Sequence, residues 1–265
     1  MQSKLEDLIA PAVNIARDAS SLIMEIYETD FEIETKVDNS PLTAADKASH
    51  ITIVRELKKL TPDVPILSEE SPEISYAERS NWDEYWLIDP LDGTREFINR
   101  NGEFTVNIAL IRNHKSVLGI VHLPARDQAY FGYRGAAAFR CDGEELPRQI
   151  HVTAHAHSPV RVVSSRSHRG SSLDRYLNNL GEHVMVSIGS SLKICLVAAG
   201  EADIYPRLGP TSEWDIAAAH AVVECAGGQV TGLDGQPIRY NTKSNVLNPH
   251  FIVFGDVSRN WTTYV

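Results

Sequence analysis

The residues best placed to do chemistry stand together at Asp89-Pro90-Leu91-Asp92-Gly93-Thr94, directly after the apolar run Trp86-Leu87-Ile88. The apolar run carries a strand into the interior. Pro90 cannot donate to a sheet ladder, Gly93 opens backbone conformations closed to other residues, and Thr94 suits the N-cap of a short helix. Strand, sharp turn and helix start are thus compressed, which can aim Asp89 and Asp92 at one point while the amides from Gly93 onward face an anion. Two carboxylates held that close repel each other, and a hard divalent cation relieves the repulsion by taking oxygen ligands. The expected chemistry is Mg2+-assisted work on an anionic group. Taken as a pair alone, the two aspartates are also ordinary turn residues. The longer string D-P-x-D-G-T is harder to reach by accident: at ~5% usage per residue its odds in a chain of this size are on the order of one in ten thousand.

These side chains need a scaffold, and the apolar pattern supplies one. Leu5, Leu8, Ala12, Ile15, Ala19, Leu22, Ile23 and Ile26 recur at helical spacing, predicting an amphipathic first helix of roughly seven turns. A short alternating segment at 31–37 precedes a turn at Asp38-Asn39-Ser40-Pro41 and a second helix to about Leu60. Residues 64–67 read as a buried strand ending in Ser68-Glu69-Glu70, and residues 85–88 as another ending in Asp89-Pro90, so carboxylates stand at both strand ends. Residues 104–111, 116–122 and 128–133 predict antiparallel strands, with breaks near Asn113-His114 and Ala125-Arg126. The polar stretch 143–159 holds a domain boundary, placed between residues 153 and 154. Beyond it, strands at 160–164, 184–188, 203–205 and 251–254 alternate with helices at 171–180, 190–199 and 213–226. The expected class is α/β: an N-terminal α+β part, residues 1–153, that binds metal, and a C-terminal α/β part, residues 154–265, that sets specificity. No internal repeat or low-complexity tract interrupts it.

At 265 residues the chain is worth about 1.8 domains on a scale of ~150 residues each, enough to bury a real core. Its 43% hydrophobic and 23% charged residues match a globular average rather than a disordered or fibrous chain. A net charge of −10 argues against nucleic-acid binding through a broad positive surface, and means that an anionic substrate needs local cations. Cys141, Cys195 and Cys225 lie far apart with no C-x-x-C spacing, which reads as reduced intracellular thiols. None carries the phosphate-cradling loop of a covalent cysteine phosphatase. Glu6 and Asp7 interrupt the first ten residues, and no later stretch approaches 18 apolar residues, so secretion and membrane spanning are not expected.

Three pieces occur in one order: Leu67-Ser68-Glu69-Glu70, the Asp89–Thr94 string, and Glu213-Trp214-Asp215-Ile216-Ala217-Ala218. With them the chain resembles, over essentially its whole length, the magnesium-dependent, lithium-sensitive phosphatase superfamily of inositol monophosphatase, fructose bisphosphatase and bisphosphate nucleotidase. A fourth piece, Asp38-Asn39-Ser40-Pro41-Leu42-Thr43-Ala44-Ala45-Asp46, resembles the D-x-S-P-x-T-x-A-D segment of that family. The resemblance implies that Glu69, Asp89, Asp92 and Asp215 are metal-binding carboxylates and that the Leu91 carbonyl is a further ligand. From the residues alone, Asp215 is also an acidic first-turn residue of its helix, and the fourth piece a turn and helix start. The resemblance further implies that Asp46 works with Thr94 to orient and deprotonate an attacking water. It implies two or three Mg2+ ions, and hydrolysis of a phosphate monoester by in-line attack with no phosphoenzyme. The implied fold is a layered αβαβα sandwich.

Substrate choice is expected to lie in the second half. Gly189-Ser190-Ser191-Leu192-Lys193 precedes an apolar helix and Asp203-Ile204-Tyr205-Pro206-Arg207 follows it, so Lys193 and Arg207 bracket one side of the pocket. By resemblance to bisphosphate nucleotidases, Ser190, Lys193 and Arg207 contact the nucleotide and its second phosphate, which calls for cations. In inositol monophosphatases the position of Arg207 is a glutamate that accepts hydrogen bonds from inositol hydroxyls. Val163-Ser164-Ser165-Arg166-Ser167-His168 resembles an element of bacterial bisphosphate nucleotidases, which makes His168 a nucleotide contact beside Gly93, Thr94 and Asp215. Without that resemblance His168 is a solvated loop histidine and Lys193 a charge on a helix surface. The other nine histidines, His151, His155 and His157 among them, lack zinc-like spacing and read as surface residues.

The expectation is a 3′(2′),5′-bisphosphate nucleotidase that converts 3′-phosphoadenosine 5′-phosphate to AMP and phosphate, accepts the corresponding phosphosulfate, and so clears a by-product of sulfate assimilation. The alternatives are inositol monophosphatase and a catalytically silent phosphometabolite-binding regulator, although a binder has little use for a water-activating pair. The partner expected is a small nucleotide bisphosphate, with no nucleic acid and no stable membrane insertion, in a cytoplasmic monomer or homodimer. Some relatives attach loosely to the inner membrane face, but no basic amphipathic anchor supports that here.

Overall fold

The computed structural model describes residues 4–35, 41–165 and 170–265. Asp38, Asn39 and Ser40 of the predicted turn lie outside the described residues, as does the segment 166–169 with His168.

In chain order the elements are α1 Leu5–Tyr27, β1 Ile33–Thr35, β2 Pro41–Thr43, α2 Ala44–Leu60, β3 Ile66–Ser68, α3 Tyr76–Arg79, β4 Glu84–Asp92, α4 Thr94–Ile98, β5 Thr105–Arg112, β6 Lys115–Leu123, β7 Gln128–Tyr133, β8 Ala138–Asp142 and β9 Arg148–Ile150. Then follow β10 Val160–Ser164, α5 Ser171–Leu180, β11 His183–Ser187, α6 Leu192–Ala198, β12 Ile204–Arg207, α7 Glu213–Cys225, β13 Gln229–Gly232 and β14 Phe251–Phe254. Strands β3 to β9 form a seven-stranded sheet in sequence order, antiparallel apart from the β3–β4 pair. Strands β10 to β14 form a second sheet in the order β11-β10-β12-β14-β13. The first sheet ends at Ile150 and the second begins at Val160.

The period of two along each strand sorts the apolar residues into separate cores. On β4, Trp86 and Ile88 join α1 and α2 in one cluster, whereas Tyr85 and Leu87 join α6 and α7 in another. On β14, Phe251 and Val253 face α6 and α7, whereas Ile252 and Phe254 face α5. The layers are therefore α1 and α2, first sheet, α6 and α7, second sheet, α5, which is the αβαβα sandwich expected. The middle layer is the only place where both sheets meet the same helices among the described residues. It packs tightly: a Cβ on Gly119 of β6 would fall 2.0 Å from the carbonyl oxygen of Ala218 on α7.

Several elements differ from their sequence reading. Pro41–Thr43 is a strand paired with β1 rather than the end of a turn. Strand β4 does not stop at Ile88 but runs through Pro90 to Asp92. The short strands β8 and β9, helix α3 and strand β13 have no counterpart in the predicted elements. His122 and His220 are buried, at 2% and 3% exposure, and are not surface residues. Among the described residues no helix is long and apolar enough to cross a membrane.

Candidate active site

Asp89 and Asp92 are three positions apart, and on a regular strand they would point to opposite faces. They do not, because Asp89 pairs with Asn107 and Asp92 with Thr105, so two residues of β4 stand opposite one of β5. The bulge restores the parity and turns both carboxylates to the face covered by the middle layer. Pro90 sits within the bulge, where its missing N–H breaks no ladder bond, and its carbonyl accepts the Ser49 hydroxyl at 2.7 Å. Leu91 N–H returns to Asp89 Oδ1 at 3.1 Å.

Two further carboxylates arrive from neighbouring elements. Glu69 follows β3, and its N–H donates to the carbonyl of Ile88, one residue before Asp89. Its carboxyl reaches hydrogen-bonding contact with that of Asp89. Asp215 lies in the first turn of α7, where its Oδ2 accepts Ser212 N–H at 2.8 Å in a reciprocal cap. Asp215 is thus a capping residue and a member of the cluster at once. Burial first, and then the charges of Glu69, Asp92 and Asp215, push Asp89 well above the usual carboxylate range. Burial and the neighbouring Asp92 push Asp215 up to about 8. Among the described residues no three His, Cys, Asp or Glu side chains are set to hold one metal ion as they stand. With Asp89 buried and Glu69, Asp92 and Asp215 half-buried around it, this all-oxygen, mutually repelling donor set fits a hard divalent cation such as Mg2+.

Beside the cluster, Thr94 Oγ1 stands 3.2 Å from Asp46 Oδ1 and 3.4 Å from the Leu91 carbonyl. Asp46 is 1% exposed, and its Oδ2 accepts both the N–H and the hydroxyl of Thr43 at 2.7 Å, closing the cap of α2. The N-cap of α4 is Gly93, at φ +92°, and not Thr94 as its residue type suggested; Thr94 is the first helical residue, which frees its hydroxyl for Asp46.

Lys193 and Arg207 line one cavity of about 140 Å3 together with Asp92, Gly93, Ser190 and Asp215. Lys193 is 8% exposed and so is no helix-surface charge. Its Nζ donates to the Ser190 carbonyl at 2.6 Å and stands 5.9 Å from the Tyr205 ring, and burial lowers its pKa. Arg207 Nη2 donates to the Pro210 carbonyl at 2.6 Å, whereas its Nε is buried with no hydrogen-bond partner. Ser190 takes a left-handed φ of +44°, its hydroxyl 3.3 Å from Thr105 Oγ1. A second cavity of about 480 Å3 adjoins through Ser165, Tyr205 and Arg207, with Leu173, Leu208 and Pro210 in its wall.

The sequence reading missed Thr105, Asn107 and Ser191, all buried beside Asp92, and the pocket residues Glu96 and Tyr205. A signal for the first two exists: they are polar at alternate positions of an otherwise apolar strand, on the face that carries Asp89 and Asp92.

The sequence profile of the inositol monophosphatase family matches residues 4–258. The 3′(2′),5′-bisphosphate nucleotidase CysQ of Escherichia coli K12 is 48% identical over 241 residues, covering 90% of this chain and 96% of its own. The CysQ nucleotidase of Haemophilus influenzae is 36% identical over 257 residues, covering 97% and 96%. The crystal structure of CysQ from Bacteroides thetaiotaomicron superimposes with a TM-score of 0.81 at 40% identity, over 95% of this chain and 97% of that one. An inositol monophosphatase from Anabaena superimposes with a TM-score of 0.78 at 25% identity, over 99% and 96%.

Proposed function

The chain belongs to the inositol monophosphatase family, and on that premise we propose that it is a 3′(2′),5′-bisphosphate nucleotidase that releases the 3′-phosphate of 3′-phosphoadenosine 5′-phosphate to leave AMP. The observation that carries the reading is the presence of Lys193 and Arg207 in the cavity that Asp92 and Asp215 line. A bisphosphate brings a second phosphate, and in a chain of net charge −10 that group needs cations of its own. The buried, unpartnered Nε of the half-buried Arg207 is a donor that such a phosphate satisfies.

Glu69, Asp89, Asp92, Asp215 and the Leu91 carbonyl would hold two or three Mg2+ ions. Bound there, magnesium neutralises phosphate charge, acidifies water and stabilises the leaving alkoxide. The chain's own part is proton transfer and orientation. Thr43 fixes the Asp46 carboxylate so that Oδ1 faces Thr94. With its proton directed at Asp46, the Thr94 oxygen presents lone pairs to a water and accepts a proton from it, while its own proton passes to Asp46. The water oxygen bonds to phosphorus as the bond from phosphorus to the 3′-oxygen breaks, and that oxygen takes a proton from solvent. Lys193, Arg207 and Ser190 hold the other end of the nucleotide, with Gly93 at the reacting phosphate. His168 is assigned a nucleotide contact by resemblance alone. Three free cysteines suit a reducing compartment, and the cytoplasm is the assigned location.

The test is phosphate release at fixed Mg2+ from 3′-phosphoadenosine 5′-phosphate and from inositol 1-phosphate, with wild type and Asp89→Asn. A strong nucleotide preference that disappears in the variant is expected. Preference for inositol phosphate overturns the assigned roles of Lys193 and Arg207, and release from neither substrate overturns the activity.

A further inference from the structure

Ser191 lies in the loop between β11 and α6 and is 3% exposed. Its N–H and its hydroxyl both reach Asp92 Oδ2 at 2.6 Å. The same hydroxyl oxygen stands 2.8 Å from the main-chain carbonyl of Asp215 and accepts Asn107 Nδ2 at 2.6 Å. A serine hydroxyl has one proton and two lone pairs. Asn107 occupies a lone pair, so the proton is left pointing between Asp92 Oδ2 and the Asp215 carbonyl, shared by the two. Asn107 is in turn steadied by Thr105, whose Oγ1 lies 3.2 Å from Asn107 Oδ1 and 3.5 Å from Asp92 Oδ2. One hydroxyl therefore ties β4, β5 and the first turn of α7 together, from a loop that belongs to none of them.

We infer that Ser191 is a positioning residue for the metal site: by holding Asp92 Oδ2 and the Asp215 backbone in one frame, it sets the spacing of two carboxylates, one at the end of β4 and one in the first turn of α7, and leaves Asp92 Oδ1 for the cation. This rests on Asp92 and Asp215 being Mg2+ ligands. Ser191 itself neither touches metal nor moves a proton, and its effect is on Mg2+ affinity. Hydrogen bonds that orient ligands in this way are worth about 10–100-fold in metal affinity.

The experiment follows the rise in Tm of the metal-free protein with added Mg2+, which reports the apparent dissociation constant without turnover. Wild type, Ser191→Ala, Asn107→Ala and the double variant are compared. Ser191→Ala keeps the N–H bond to Asp92 and loses only the hydroxyl. The expected result is an Mg2+ constant weaker by 10–100-fold in Ser191→Ala with a metal-free Tm within a few degrees of wild type. Asn107→Ala moves it the same way, and the double variant is no weaker than Ser191→Ala alone by more than about 3-fold. In turnover, more Mg2+ is needed while kcat at saturating Mg2+ is retained. A wild-type Mg2+ constant in Ser191→Ala overturns the inference, as do fully additive losses in the double variant. Should Ser191→Ala not fold, an unchanged constant in Asn107→Ala overturns it equally. A wild type that shows no rise with Mg2+ overturns the metal site, and this role with it.

Discussion

Thr94 Oγ1 lies 3.2 Å from Asp46 Oδ1, although the two residues are 48 positions apart and belong to α4 and α2. A hydroxyl so directed is a conduit for one proton, and its partner carboxylate is anchored by Thr43 rather than by the metal cluster. Thr94→Ala and Asp46→Asn are each expected to lower kcat by about 10²–10⁴-fold, the usual worth of a positioned base. Because the two act in series, the double variant should lose little more than either single one. Steady-state rates at saturating Mg2+ check this, and multiplicative losses would show that the residues act independently.

Asp89 is fully buried against three other carboxylates, so without a cation it carries a cost that Mg2+ removes. Metal-free Asp89→Asn is expected to melt above metal-free wild type by roughly 2–6 °C, at about 2–4 °C per kcal/mol for a chain of this length. Added Mg2+ should reverse the order, raising the wild-type Tm and barely moving that of the variant. Scanning calorimetry with and without a chelator decides it, and a variant that is less stable in both conditions would contradict the repulsion.

Much of this architecture is legible in the sequence. The short, near-continuous apolar runs at 104–111 and 116–122 announce strands covered on both faces, and in β5 and β6 each parity packs against a different helix layer. The carboxylates Asp89 and Asp92 were visible as a motif, but the reason they converge was not. It depends on the register that sets Asp89 opposite Asn107 and Asp92 opposite Thr105, and register is a property of two strands rather than one. Strands β8 and β9 were illegible because Arg140, Arg148 and Gln149 break the apolar alternation at the sheet edge. Ser191 was hidden for a third reason: a serine in a loop has meaning only once its three partners, from separate elements, are known.

Arg207 offers the second phosphate a buried Nε with no other partner, and Lys193 stands beside it. Arg207→Ala is expected to raise KM for 3′-phosphoadenosine 5′-phosphate by about 10–100-fold, the worth of one or two charge-assisted hydrogen bonds. A substrate with a single phosphate, such as 3′-AMP, should be affected less than 3-fold. Equal losses on both substrates would place Arg207 at the reacting phosphate and not at the second one.

His122 bridges Ser20 Oγ, 2.8 Å from Nδ1, and Asp127 Oδ1, 3.2 Å from Nε2. Burial lowers its pKa to about 4, against about 6.5 in an unfolded chain. Between those values the unfolded state binds a proton that the folded state does not, so stability rises with pH. The contribution is complete above about pH 6.5 and is lost as pH falls towards 4, to a total of about 3 kcal/mol at 1.36 kcal/mol per unit. Urea unfolding from pH 7.5 to 4.5 should show that slope in wild type, and His122→Gln, although less stable at neutral pH, should show a shallower one. Parallel slopes would assign the acid sensitivity to other groups.

Gly119 on β6 leaves no room for a side chain, since an added Cβ would sit 2.0 Å from the Ala218 carbonyl oxygen and 2.8 Å from its carbon. Both are backbone atoms of α7, so Gly119→Ala cannot be absorbed by a rotamer change and must lift the helix off the sheet. Overpacking of this kind costs about 1–3 kcal/mol, a fall in Tm of roughly 2–12 °C. The functional consequence follows from topology. Asp215 lies three residues before Ala218 on the same helix, and its backbone carbonyl is the one that Ser191 grips. A lifted α7 should therefore weaken Mg2+ binding as well as stability, whereas a destabilising cavity far from this layer, such as Leu177→Ala on α5, should lower Tm and leave the Mg2+ constant unchanged. Equal Mg2+ constants in the two variants, each saturated with metal and measured well below its Tm, would show that the middle helix tolerates displacement without disturbing its carboxylate.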